Sequence, residues 1–198
     1  MTTNLSAIQT AIQTNWKLDP LHSELFFKIK YLTISVVTGF IQEFDLNVQT
    51  TGNDFGEVTD LQLTADMTTL RTNHEPRDEH LKSLDFFDVE SHRYLQFQGT
   101  AFQKQGQTPP SLLSPYRRDY KLHGHLLIKD ISRPIVLDGE FGGLVTDPDG
   151  HKCAGFMVKA KISRKEFGLN WGGITAAGKL ILADEVDIVG NIQLIKQV

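Results

Sequence analysis

"SELFFKIKY", Ser23 to Tyr31, decides how the rest of the chain is read. Leu25, Phe27, Ile29 and Tyr31 alternate with Glu24, Phe26, Lys28 and Lys30. A period of two marks a strand with one apolar face. The pattern recurs in both directions from there. "VTGFIQEFDLNV" continues after a short link, and Gly39 with a change of phase near Ile41 predicts a bulge or sharp bend. "VTDLQLTADM" sets Leu61, Leu63 and Ala65 on one side, and "YLQFQGTAF" sets Leu95 and Phe97. "YKLHGHLLI" alternates Tyr120, Leu122, Gly124, Leu126 and Ile128 with Lys121, His123, His125 and Leu127. "PIVLDGEF" reads as a further strand. "GFMVKAKIS" carries Phe156, Val158, Ala160 and Ile162 on one face, and "DEVDIVGNIQLI" carries Val186, Ile188, Ile192 and Leu194.

Turn-rich segments separate these strands: "TGNDFGE", the Pro-rich "QGQTPPSLLSPY" and "DPDG". About eight strands with no long helix between most of them predict an all-β antiparallel barrel in up-and-down order. Residues 1–15 read as an N-terminal extension, with Leu5, Ile8 and Ile12 on one face of a short helix, and 16–198 as the barrel domain.

The 198 residues suffice for one domain, and a fold of this mass buries roughly 70% of its unfolded surface without a metal or disulfide. A net charge of -4 and the lack of a basic patch with interleaved aromatics argue against a nucleic-acid binder. The single cysteine, Cys153, cannot form an intrachain disulfide and reads as an ordinary buried or half-buried thiol. No run of about 18 apolar residues is present, so no membrane span is expected. "MTTNLSAIQTAIQTNW" has no basic n-region, so a cytoplasmic location is expected, or a periplasmic one if a leader was removed.

Several constellations invite chemical readings. "RDEHLKSLDFF", Arg77 to Phe87, gathers acid, base and imidazole before two phenylalanines. Three readings stay open: a structural lid closed by Leu81, Phe86 and Phe87, a head-group contact, and catalysis. Pro76 argues against a regular helix through His74 and His80, so a helical zinc-protease motif is not expected. His123 and His125 share one strand face, a usable geometry for zinc or iron, but no third ligand stands at a recognisable spacing. Parity places both rings opposite Leu122 and Leu126, toward solvent. Asp19, His22 and Ser23 carry the letters of a hydrolase triad without an oxyanion-hole signature. Asp147 and Asp149 read as a turn rather than a calcium loop. Arg164 reads equally as a head-group contact or as the partner of a carboxylate, and Trp16 reads as a plug at one barrel end.

These blocks together resemble the YceI-like family of polyisoprenoid-binding, lipocalin-like proteins. Trp16, Asp19, His22 and Ser23 look like its opening motif. "GFIQEFDLNV" resembles its Gly-x-Phe segment. Arg77, Asp78, His80, Leu81, Phe86, Phe87, Asp88 and Phe97 fall on its most specific signature. Gly124, Leu126, Ile128, Arg133 and Pro134 match a further segment, and "ISRKEFGLNW" and "LADEVDI" match the last two. Tyr31 stands where many members have His. The resemblance implies an extended eight-stranded barrel with a short helical lid segment. It also implies a tunnel for one chain-like amphiphile, such as a polyisoprenoid, a quinone tail or a fatty-acid derivative, and a homodimer. No cofactor other than a bound lipid is implied.

From the inward phase, Phe27, Ile29, Leu63, Phe97, Leu122, Val158 and Ile188 are expected to line the tunnel, with Ala65, Gly124, Gly139 and Ala160 leaving space between them. Tyr31, Phe40, Arg77, His80, Phe86, Phe87, Arg164 and Trp171 complete the expected ligand contacts. The function expected is non-enzymatic binding, storage or transport. The alternatives are a protein-interaction barrel with incidental lipid, and a metal-assisted enzyme built on His123 and His125.

Overall fold

The computed structural model describes residues 13–52, 55, 57–106, 118–176, 178 and 180–197. Its strands are β1 (Gln13–Leu18), β2 (Glu24–Tyr31), β3 (Ser35–Ile41), β4 (Phe44–Thr51), β5 (Val58–Asp66), β6 (Leu70–Arg71), β7 (Tyr94–Lys104), β8 (Arg118–Ile128), β9 (Ile131–Thr146), β10 (Lys152–Ser163) and β11 (Leu182–Lys196). One helix, α1 (Glu75–Lys82), lies between β6 and β7. No helix among the described residues is long and apolar enough to cross a membrane.

Pairing runs β1-β4-β5-β7-β8-β9-β10-β11, and β11 returns to β1 through Trp16↔Lys196 and Leu18↔Leu194. The ring is therefore a closed eight-stranded antiparallel barrel. The three short strands β2, β3 and β6 extend this ring at one end. β1 and β2 both pair with β11, so they are two lengths of one stave broken at Asp19–Ser23. β3 and β4 form the next stave, broken at residues 42–43, and β5 and β6 the third, broken at the 3₁₀ turn Met67–Thr69. Each stave neighbours its successor in sequence, which is the expected up-and-down order.

The change of phase near Ile41 is real, and of the bulge or sharp bend expected there it is a break in the strand and not a bulge. β2 and β3 pair without a register shift from Leu25↔Ile41 to Tyr31↔Ser35. The inward set moves from Gly39 and Ile41 to Leu46 and Val48 because the strand itself stops between β3 and β4. β1 begins at Gln13, so Gln13–Asn15 belong to the barrel rather than to the extension. The helix expected at Leu5–Ile12 lies outside the described residues.

Asp19, His22 and Ser23 organise the first break. Asp19 Oδ1 accepts from the Leu21 amide at 3.0 Å, and Oδ2 meets His22 Nδ1 at 2.7 Å and accepts from Gln193 Nε2 at 2.9 Å. Burial acts to raise the Asp19 pKa, and the bonds from His22, Leu21 and Gln193 outweigh it, holding the carboxyl below its usual range. The Ser23 hydroxyl accepts from the Gln193 amide at 2.9 Å and donates to the Gln193 carbonyl. The serine is thus committed to the backbone of β11, so the three letters form a joint rather than a relay.

One end of the barrel is filled by aromatic rings. Trp16 is 1% exposed, and its Nε1 donates to Thr50 Oγ1 at 3.0 Å. Its ring meets Phe55 at 4.8 Å, Phe55 meets Phe156 at 4.7 Å, and Phe156 meets Phe141 at 4.9 Å. Tyr120 stacks on Phe102 at 4.4 Å beside them. Trp16 is a plug, as the sequence suggested. Phe55 is its unforeseen centre, a lone aromatic in the polar "TGNDFGE" turn.

Candidate functional site

Above the plug lies a cavity of about 450 Å³. On four strands the lining stops one inward position short of a core residue. On β8 the lining ends at Leu122, one inward position before Tyr120. On β10 it ends at Val158, before Phe156, on β11 at Ile192, before Leu194, and on β4 at Leu46, before Val48. The opposite end reaches solvent between Tyr31, Trp171 and His80, which border both the cavity and water.

Of the residues expected to line a tunnel, Phe27, Ile29, Leu63, Phe97, Leu122, Val158 and Ile188 all border this cavity. So do Tyr31, Arg77, His80, Phe86, Phe87, Arg164 and Trp171, at or near the mouth. Phe40 does not. Gly39 and Ile41 occupy the inward positions of β3, so the side chain between them faces outward and packs on Phe26 at 5.7 Å. The alternation also reached further than expected, since Leu61, Leu126, Ile128 and Leu137 line the wall as well. Leu169, which follows the Arg164–Phe167 3₁₀ turn, had no periodic signal to reveal it.

Of the two glycines expected to leave space, Gly139 would give an added Cβ only ordinary contacts, whereas Gly124 is covered by a neighbouring ring, as are two glycines outside that expectation, Gly39 by a ring and Gly190 by Val158. A Cβ at Gly124 would collide with the Phe97 ring, one at Gly39 with the Phe27 ring, and one at Gly190 with Val158. The two rings lie over bare backbone at the wall, which keeps them off the barrel axis. At Gly39 and Gly124 the lumen stays open because the phenylalanines are set into the wall.

The Arg77 to Phe87 stretch forms a lid. Pro76 sits in the first turn of α1, where its missing N–H costs no helical bond, so a helix forms where the proline argued against one. His74 is the N-cap, accepting from the Arg77 amide through Nδ1. Asp78, buried, accepts from the Thr72 amide at 2.7 Å and from its hydroxyl. Arg77 donates Nε to the same hydroxyl at 2.7 Å and Nη2 to the Thr72 carbonyl at 2.8 Å. Thr72 therefore takes up both charged side chains and fastens the lid to the end of β6. His80 Nε2 meets Asp85 Oδ2 at 2.9 Å, and its ring stands edge-on to Phe86 and Trp171. Leu81, Phe86 and Phe87 turn inward to the cavity.

Arg164 is 4% exposed and hydrogen-bonds to no carboxylate among the described residues. Its donors go to the carbonyls of Ala183 at 2.8 Å, Trp171 at 2.8 Å and Leu169. Burial pulls its pKa down, with the charge of nearby Asp184 opposing. The guanidinium thus fixes the segment that presents Trp171 to the mouth.

The other candidates lie elsewhere. His123 and His125 project from the outer face of β8, and neither belongs to a potential metal-binding group among the described residues. Asp147, Asp149 and His151 bring ligand-type atoms within 4.8 Å of one another. Asp147 Oδ1 is already engaged there, accepting from the Asp149 and His151 amides at 3.0 and 2.8 Å, which makes it a turn cap. Cys153 is buried, and burial pushes its thiol pKa up, away from the reactive thiolate.

Known proteins share this design. Residues 16–194 match the family model of the YceI-like domain. A UPF0312 protein of Staphylococcus aureus strain N315 is 33% identical over 176 residues, spanning 87% of this chain and 92% of its own. The solved Campylobacter jejuni YCEI protein superposes with a TM-score of 0.67 at 26% identity, over 86% of this chain and 91% of that one. A polyisoprenoid binding domain from Saccharophagus degradans shares the fold at 12% identity, with a TM-score of 0.64 over 92% of this chain and 98% of that one. The chain belongs to the YceI-like domain family.

Proposed function

We propose that this protein is a non-enzymatic binder of a long-chain amphiphile, taken tail-first into the lumen with its polar head left at the lid. One observation carries the reading: an apolar cavity of about 450 Å³, closed by rings below, meets polar side chains only near its mouth. Chain-like ligands fit such a space because each buried methylene contributes about 0.8 kcal/mol without any directional contact. His74, Arg77 and His80 stand where a head group would rest. A polyisoprenoid, a quinone tail or a fatty-acid derivative has this shape, and the shared barrel of the S. degradans polyisoprenoid binding domain supports the prenyl members of the set.

The test is organic extraction of the purified protein followed by mass spectrometry, together with uptake of prenols and fatty acids by lipid-free protein. Stoichiometric chain-like lipid, or uptake that saturates, supports the reading. A clean extract with no uptake of either class removes it.

A further inference from the structure

We infer that the aromatic plug is a ruler: its upper layer sets the longest chain the lumen accepts, and Phe156 and Phe141 are residues that determine specificity. The inference rests on the proposed binding of a long-chain amphiphile and goes beyond it by assigning the length selection to a particular layer. Four observations support it. On β4, β8, β10 and β11 alike the lining stops at a core residue, so the floor is contributed by several strands rather than by one local obstruction. That floor combines Val48 and Leu194 with large, mutually packed rings. Phe141 lies 4.9 Å from Phe156, 5.9 Å from Phe55 and 6.3 Å from Tyr120. The floor is anchored from below by Trp16, whose indole is tied to Thr50. By contrast, the mouth is bordered by side chains still partly in water, so extra length on that side meets no wall.

The depth follows from the strand geometry. On β11 the lining extends from Leu182 to Ile192. Those ten steps cover about 33 Å along the strand, or about 25 Å along the axis of a barrel with the usual tilt. A cavity of about 450 Å³ over that depth is narrow, and it holds one chain in single file. Each inward position removed from the floor adds two residue steps, about 5 Å of axial depth. That is the length scale of a single prenyl unit. Chains that fit end against Phe156 and Phe141. Longer ones must leave apolar carbon outside the lid, where it gains nothing from burial.

The experiment offers wild type and two variants an equimolar mixture of prenols from farnesol to solanesol and reads the retained lengths by mass spectrometry. Phe156 is only partly buried, so Phe156→Ala opens the floor at modest cost to the core. Leu137→Phe adds bulk just above the floor. Circular dichroism confirms that each variant is folded, and either one alone suffices if the other does not fold. Expected is a shift of the longest well-retained prenol by one unit, upward for Phe156→Ala and downward for Leu137→Phe. The ratio of the next prenol to the wild-type optimum should change by about tenfold or more, since the added burial amounts to several methylenes. An unchanged length distribution in folded variants overturns the ruler and leaves the binding reading standing. Failure of the wild type to retain any prenol overturns both.

Discussion

Both ends of the barrel carry clusters of aromatic rings at similar spacing, yet the clusters differ in what holds them. At the closed end Trp16, Phe141 and Phe156 project from strands hydrogen-bonded on both sides, and Trp16 and Phe141 are nearly inaccessible. At the open end His80, Phe86 and Trp171 pack at 5.0 to 5.2 Å, but they project from a helix, a loop and a segment pinned by Arg164. Trp171 remains 37% exposed. The same ring chemistry therefore gives a floor where the backbone is paired and a rim where it is merely tethered. Stability is expected to concentrate in the first cluster and ligand exchange in the second.

Trp16→Ala tests that division most severely. It removes the floor's anchor and leaves Thr50 without its donor, and should cost about 3–5 kcal/mol in denaturant unfolding. A loss under about 1 kcal/mol would show that the plug is not where the stability resides. Asp78→Ala comes next. It strips the Thr72 amide and hydroxyl of their acceptor, an effect of about 1–3 kcal/mol expected mainly in the lid. Amide exchange in α1 should accelerate more than in β8 to β10, and uniform acceleration would contradict a separately fastened lid.

A pH effect follows in size. Two bonds from Arg93, with those from Thr68, hold the Asp66 carboxyl at about 2, against 3.8 ordinarily, despite burial that acts to raise it. A carboxyl depressed in the folded state adds stability above its ordinary value, and that stability fades as pH falls through 3.8 toward 2. Arg93 is half exposed, so solvent screening keeps the contribution small. Arg93→Gln should flatten that part of the acid-unfolding curve, and an unchanged slope below pH 4 would rule the pair out. Trp171→Ala should have the smallest effect on stability, within about 0.5 kcal/mol, while speeding release of a fluorescent fatty acid by stopped flow. Slower release, or a collapse of stability, would reverse the assignment of rim and floor.

How much of this was legible in the sequence depended on periodicity. Strands such as Tyr120–Ile128 declare their inward face by alternation, and the cavity wall follows from it. Phe40 faces away from the cavity because Gly39 and Ile41 hold the inward positions of β3, a parity that the change of phase beside it obscures in the letters alone. Gly124 was read as space because a sequence does not show which neighbour leans over a bare backbone. Phe55 and Leu169 carry no period, so only the folded chain brings them to the interior. Arg164 invited a charged partner, but its donors are spent on the carbonyls of Leu169 and Trp171 just downstream and of Ala183 on the neighbouring strand.

The three broken staves stand side by side, and their breaks align around one flank of the barrel. The Asp66 amide donates to the Glu43 carbonyl, and the Glu43 amide donates to Thr69 Oγ1, so two of the breaks are joined to each other. Past this seam β6 pairs with β3 only at Phe40 and Ile41, and α1 takes over where strand pairing ends. The barrel is therefore expected to open in more than one unit. Amides of β3 can exchange by opening the upper flank alone, whereas those of β8, β9 and β10 must wait for the whole ring to part.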